Sequence, residues 1–385
     1  MRKSVQAQTL AQLETLHKFG RDQDMLGEIT QIPVTVYTDP KILKNEIDTV
    51  FSDYPMLAGH TSSVRNPGDY LLSDWPKLPY LIIRDSKRKL RAFLNIYRHR
   101  GARIVSGHEP NLKAFVCPFH GWTYGLDGQL KGITQAHNFP NLDRDKFSLI
   151  ELPVIEQSGL IWIHPTPAKN IDLNTYLGPI GDDIEHFSLE KLIRYKKNCV
   201  IKNANWKLLI KTYLEGYHVP YLHKETLARA FKNGVIAHYE HHPHIRLCAA
   251  RSNFSSITNT PPESRKILDY ASVYYSLFPQ AFFIMHPDYV SINMFYPLAP
   301  DRTIWTHEML YNPSDFPEAS DQNALENRFT FTNDTVFDQE DFSVAENIQC
   351  NLEHEPNQFH TLGINEGLLA IFQENINRAV NSTAT

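Results

Sequence analysis

The chain has 385 residues, 42% of them hydrophobic and 21% charged, which is enough apolar material for a buried core and excludes a disordered chain. Its net charge of −5 argues against nucleic acid as the main partner. The first residues carry no apolar run of signal-peptide length, and no window reaches the roughly eighteen apolar residues of a membrane span, so no membrane partner is expected. Cys117, Cys199, Cys248 and Cys350 lie far apart and form no Cys-x-x-Cys pair. That spread argues against a disulfide framework and for a reducing, cytoplasmic setting.

In chain order, Leu10, Leu13 and Leu16 predict a helix over 7–18. Asp39 followed by Pro40 reads as an N-cap and first helical position, with Ile42, Leu43, Ile47 and Val50 on one face. Asn66-Pro67-Gly68-Asp69 is a turn. Strands are predicted at 70–72, 78–84 and 90–96, with hairpin connections at Asp85-Ser86-Lys87 and at Leu126-Asp127-Gly128-Gln129. Runs at 149–154 and 160–164 continue the pattern, giving a small all-β domain over 40–165. Pro165-Thr166-Pro167 marks its exit. A short helix is expected within 173–187 and a strand at 195–204. A long helix follows over 205–225, where Trp206, Leu209, Ile210, Tyr213, Leu214 and Tyr217 recur at helical spacing and Pro220 kinks the end. Strands at 235–257, 281–296 and 303–311 precede helices at 317–352 and 365–380. Strands packed around one long helix give an α+β fold class with a helix-grip second domain over 166–385. Residues 1–39 are read as a helical segment packing on that second domain.

The stretch 93–130 organises the chemistry. It contains Tyr97-Arg98-His99-Arg100-Gly101-Ala102 and, seventeen residues after His99, Cys117-Pro118-Phe119-His120-Gly121-Trp122-Thr123-Tyr124. A Rieske centre places two thiolates on one iron and two imidazoles on the other. Paired Cys-x-His and Cys-x-x-His loops supply one donor of each kind per loop. This stretch resembles that motif of Rieske oxygenases, flanks included. One position departs: Tyr97 stands where the first thiolate belongs. A phenol oxygen is a hard donor on a rigid arm, and its ring would take up cluster space.

A second motif, Tyr-Leu-Glu-Gly-Tyr-His-Val-Pro-Tyr-Leu-His, spans 213–223. His218 and His223 are five apart with Pro220 between them, so a local unwinding at Val219-Pro220 is needed to turn both rings to one metal. Two histidines and a carboxylate with open positions form the facial triad of non-haem Fe(II) oxygenases. Asp341, in Asp338-Gln339-Glu340-Asp341-Phe342, is the leading carboxylate, with Asp338 and Glu340 as alternatives.

The whole chain resembles the α subunits of Rieske non-haem iron oxygenases, the aromatic ring-hydroxylating dioxygenase family. The likeness extends to Tyr37-Thr38-Asp39-Pro40, to Asn66 through Tyr70 and to Asn205-Trp206-Lys207. It implies His218, His223 and Asp341 as ligands of a mononuclear Fe(II), and His99, Cys117 and His120 as ligands of a [2Fe–2S] cluster, with Tyr97 at the fourth position. It implies Glu215 as a carboxylate bridging His120 of one subunit to His218 of the next in a homotrimer or mixed oligomer. Lys211 and Thr212 depart from the acidic residue and asparagine often found before that glutamate. The implied activity is oxygenation of a small organic substrate by O₂, as hydroxylation, dihydroxylation or demethylation. The electrons come from NAD(P)H through a ferredoxin or flavin reductase. Two alternatives stand beside it: a cluster-less partner subunit of a mixed oligomer, and a non-catalytic helix-grip protein that binds a small apolar ligand. Phe254, Phe282, Phe283, Met285, Ile292 and Met294 are either pocket walls or core, and His238, His241, His242 and His244 read as an exposed loop or pocket edge rather than a metal site.

Overall fold

The computed structural model describes residues 1–19, 28–107, 111–318, 321–352, 354 and 358–382. It divides into two compact units, one formed by 52–172 and the other by 1–51 together with 173–385. The smaller unit therefore starts at 52, where the sequence placed a boundary at 40. The helix Pro40–Asp48, capped by the Asp39 side chain accepting from Lys41 N at 2.7 Å, belongs to the larger unit. Side chains buried there decide this. Phe51 lies edge-on to Trp206 at 5.1 Å between centroids, and Glu46 is 1% exposed and accepts from Trp206 Nε1 at 2.9 Å.

The smaller unit is built from short antiparallel strands in three sheets. Their orders are Val154–Gln157, Leu160–Ile163, Met56–His60; then Tyr70–Leu72, Tyr80–Arg84, Leu90–Leu94, Glu151–Leu152; and Phe115–Val116, Thr123–Tyr124, Leu130–Gly132. Leu81, Phe93, Phe115, Trp122 and Tyr124 form its core, and Tyr97 and Cys117 are part of the same cluster.

The larger unit carries one seven-stranded antiparallel sheet. Its order is Ile193–Lys202, Arg302–Tyr311, Tyr289–Ala299, Ala281–Met285, Ala271–Leu277, His244–Arg251, Phe231–His241. The strand Ala271–Leu277 was not expected. It is buried on both faces, so its sequence lacks the alternation that marks a half-exposed strand. Phe254, Phe282, Phe283, Met285, Ile292 and Met294 are all core residues, each at most 1% exposed.

The helix expected over 205–225 is broken. Trp206–Lys211 is helical and buried along its whole length, with Asn205 Oδ1 accepting from Lys207 N at 3.0 Å as its cap. Helix resumes only at Val219–Leu222. Pro220 sits at the start of this second piece, where a missing N–H costs little, so the unwinding lies before Val219 and not at Val219-Pro220. The expected helix over 317–352, of which 319 and 320 lie outside the described residues, is three segments. They are Asp321–Thr330 (α), Phe331–Phe342 (π) and Ser343–Asn351 (α). Among the described residues no helix is long and apolar enough to cross a membrane, and all four cysteines are free thiols.

Candidate metal centre

The break after Lys211 and the π-helix Phe331–Phe342 together build the site. The non-helical stretch 212–218 frees His218 and His223 from strict helical phase, and their ring centroids come to 5.1 Å. A π-helix widens the turn and is frequent at functional sites. Here it carries Asp341, 4% exposed, up to both rings. Asp341 Oδ1 lies 3.1 Å from His223 Nε2 and 3.4 Å from His218 Nε2. Among the described residues this is the group whose three ligand atoms lie within 4.8 Å of one another. Metal–ligand bonds of about 2.1 Å at right angles put neighbouring donors about 3 Å apart, so the spacing fits one ion bound facially.

Both ring nitrogens of each histidine are engaged. Glu215 Oε1 bonds His218 Nδ1, while Glu215 Oε2 accepts from the backbone N–H of Tyr217 and of His218. Glu340 Oε2 bonds His223 Nδ1 at 2.7 Å and also accepts from Thr226 Oγ1 at 2.8 Å. Glu340 was an alternative ligand in the sequence. In the structure it faces the far side of the His223 ring. Asp338, the other alternative, pairs with Lys202 and is not at the site. Burial opposes the charged form of His218, but the hydrogen bonds and charges of Asp341 and Glu215 outweigh it and raise its pKa to about 10 in the metal-free protein.

A cavity of about 590 Å³ opens over His218, His223 and Asp341. Its walls include Tyr213, Ile236, Leu247, Tyr274, Ile284, Val336 and Phe337. None of the six apolar residues picked out in the sequence lines it, because they point into the core instead. The histidine-rich segment is also elsewhere: His244 is fully buried, hydrogen-bonded to Tyr176 O at 2.9 Å, and His242 Nδ1 meets Asn375 Oδ1 at 2.7 Å.

In the smaller unit two loops share one hydrogen-bonding pattern. Tyr97 N donates to Ala102 O at 2.7 Å and Gly101 N to Tyr97 O at 2.7 Å; Cys117 N donates to Trp122 O at 2.9 Å and Gly121 N to Cys117 O at 2.9 Å. Gly101 and Gly121 both have left-handed φ, 77° and 70°. Tyr97 and Cys117 therefore occupy equivalent positions in twin loops. His99 and His120 follow them, their rings 4.9 Å apart, with His99 stacked on Trp122 at 5.1 Å. His120 Nδ1 is buried without a partner, as a ligand awaiting a metal would be. The Tyr97 ring, 1% exposed, lies between these groups, its hydroxyl 3.4 Å from His99 Nδ1. The four side chains offer two imidazoles, one thiol and one phenol, and do not fit a centre that takes two thiolates on one iron.

This architecture has close counterparts among known proteins. Residues 185–382, half of the chain, match the ring hydroxylating alpha subunit (catalytic domain) family, and residues 55–148 match the Rieske [2Fe-2S] domain. The chain belongs to the family of ring-hydroxylating oxygenase alpha subunits. It is 32% identical over 197 residues to a chloroplastic choline monooxygenase of Beta vulgaris, a match covering 50% of this chain and 44% of that protein. Identity to the chlorobenzene dioxygenase alpha subunit of Cupriavidus sp. (strain PS12) is 34% over 193 residues, covering 48% and 42%. These matches thus span less than half the length of the curated relatives. Among solved structures, a quaternary ammonium Rieske monooxygenase in complex with L-carnitine superposes with a TM-score of 0.78 at 21% identity, covering 91% of this chain and 95% of that one. Naphthalene 1,2-dioxygenase from Rhodococcus sp. bound to indole gives 0.75 at 18%, covering 98% and 99%. At such identities these likenesses show the fold alone.

Proposed function

We propose that the chain is a terminal oxygenase component that oxidises a small organic substrate with O₂ at one Fe(II) held by His218, His223 and Asp341. The convergence of these three side chains beneath an apolar cavity carries the reading. Iron, when bound, supplies the one-electron chemistry that lets O₂ react with a closed-shell organic molecule. The protein's own part is orientation and exclusion. A proton on His218 Nδ1 donates to Glu215, and one on His223 Nδ1 donates to Glu340, which leaves both Nε2 lone pairs facing the metal position. Asp341 contributes the negative charge, and the apolar walls keep bulk water from the reacting atoms.

The electrons start from NAD(P)H and arrive through a ferredoxin or flavin reductase. Tyr97 favours a second element of the reading. Its place in the twin loop is that of the missing cysteine, so this chain draws its electron from a Rieske centre on a neighbouring, cysteine-complete chain of a mixed oligomer. Glu215, which bonds His218 Nδ1 within the chain, is the carboxylate that would link His218 to such a neighbour's histidine loop.

The test of the oxygenase reading is metal stoichiometry. Anaerobic loading is expected to give one Fe(II) per chain, seen by iron analysis and by the electron paramagnetic resonance of the Fe(II)–nitric oxide adduct. His223→Ala and Asp341→Ala are expected to lose both signals while keeping the far-ultraviolet circular dichroism of the parent. Retention of full iron by both variants rules out the assigned ligand set.

A further inference from the structure

The charges lining the iron cavity are sorted in an unexpected way. Three carboxylates face it, and all are engaged. Glu215 and Asp341 bond the two histidines, and Asp288 is held by Arg328 Nε at 2.7 Å and Nη2 at 2.6 Å. Two cations also face it, Lys232 and Arg251, both half-buried. Among the described residues neither side chain makes a hydrogen bond or an ion pair. A half-buried guanidinium beside the apolar walls has lost part of its hydration with nothing in return.

Its position is fixed by the sheet. Leu247, Ala249 and Arg251 alternate along the strand His244–Arg251, so all three turn to the cavity. Ala249 pairs with Ile236, and Ile236 packs under Gly216 so tightly that a Cβ there would come within 2.6 Å of its Cδ1. Gly216 belongs to the segment that carries His218. Arg251 is two residues further along, about 7 Å from Ala249. Arg251 pairs in turn with Phe231, the neighbour of Lys232. Both cations line the cavity where these two strands pair, and Tyr274 and Tyr289 are among its other lining residues.

We propose that Arg251, with Lys232 beside it, is an anion subsite, and that the substrate is an organic carboxylate whose apolar body lies between this subsite and the iron. The inference rests on the oxygenase reading of the cavity. A guanidinium takes a carboxylate through two parallel hydrogen bonds, which fixes direction as well as affinity. A substrate anchored at Arg251 presents its far end to the histidines, so the carboxylate sets which carbon is oxidised. A quaternary ammonium substrate without a carboxylate would meet two uncompensated positive charges and is disfavoured.

The test pairs each acid with its neutral isostere: benzoate, phenylacetate and 3-phenylpropanoate against benzamide, phenylacetamide and 3-phenylpropanamide, with choline as the cation. Binding to the Fe(II)-loaded protein is measured by isothermal calorimetry under argon. At least one acid is expected to bind tenfold to a hundredfold more tightly than its amide, the range a charge-assisted pair supplies. Arg251→Gln is expected to abolish the ratio and Arg251→Lys to restore part of it, with iron content and melting temperature recording that both variants remain folded. No binding by any acid, equal binding of acid and amide, tighter binding of choline, or an unchanged ratio in Arg251→Gln each overturns the proposal. Should Arg251→Gln fail to fold, the acid-to-amide ratio of the parent and of Arg251→Lys decides alone. The two readings fail separately: a preference for acids in a protein that holds no iron sinks the oxygenase reading and keeps the subsite, and normal iron without the preference does the reverse.

Discussion

At the scale of single residues, the histidines of this site are defined as much by their outer partners as by the position they face. His223 is gripped on opposite ring atoms by two consecutive residues, Glu340 on Nδ1 and Asp341 on Nε2. Only one of them can reach the metal position. Removing the other leaves the proposed ligand set intact but frees the ring. Glu340→Gln keeps a hydrogen-bonding oxygen and loses the charge. It is expected to weaken Fe(II) affinity by about tenfold to a hundredfold, in the range typical for loss of such a partner, with the stability of the metal-free fold little changed. Titration of metal-free protein with Fe(II) checks this, and an unchanged affinity would show that Glu340 only fills space. The sequence made both carboxylates visible and gave Asp341 precedence by resemblance. It could not divide their roles, because that division depends on how the π-helix turns two adjacent residues toward one ring. The apolar residues picked out as pocket walls illustrate the opposite failure. Composition records that Phe282 or Ile292 is apolar, but on a strand buried on both faces it does not say which face borders the cavity.

At the scale of elements, two departures from regular α-helix make the site, and both were only partly legible. The helical periodicity of the sequence extends across 205–225 because Tyr213 and Leu214 stay buried after the helix has ended. The buried helix Trp206–Lys211 is secured instead by charge. Lys207, fully buried, pairs with Glu46, and Trp206 Nε1 donates to the same carboxylate. Replacing one member of such a pair leaves an uncompensated charge, so Glu46→Ala is expected to cost about 3–5 kcal/mol in chemical denaturation. Lys211, one turn on, has no carboxylate: its Nζ meets Tyr37 Oη at 2.6 Å and Gln373 Oε1 at 3.2 Å. Burial, and then the charge of Lys207, hold its pKa well below 10.5. Between that lowered value and 10.5 the unfolded chain binds the extra proton, so stability rises with pH across this window and falls as pH drops through it. Lys211→Met is therefore expected to flatten the rise and to be neutral or stabilising near pH 7, the reverse of Glu46→Ala. Equal destabilisation by both variants would mean that packing, not charge, governs this helix.

At the scale of the whole molecule, the chain carries a proposed iron site, whose three donors converge, and a Rieske domain in which Tyr97 stands at the position equivalent to Cys117. The twin loops keep everything else: the left-handed glycines, the paired imidazoles, Trp122 against His99 and the buried Cys117. The departure is confined to one side chain that fills the gap with a ring. The expected result follows from the frame. After anaerobic reconstitution and reduction, the unaltered protein gives no Rieske signal in electron paramagnetic resonance and no acid-labile sulfide. Tyr97→Cys, which returns the second thiolate to an otherwise intact pair of loops, gives both. A full Rieske signal from the unaltered chain overturns the mixed-oligomer route and leaves an oxygenase that carries its own electron relay. No signal from either form means that the loops hold their shape for docking alone, and the electron must then enter the iron site by a path that bypasses this unit.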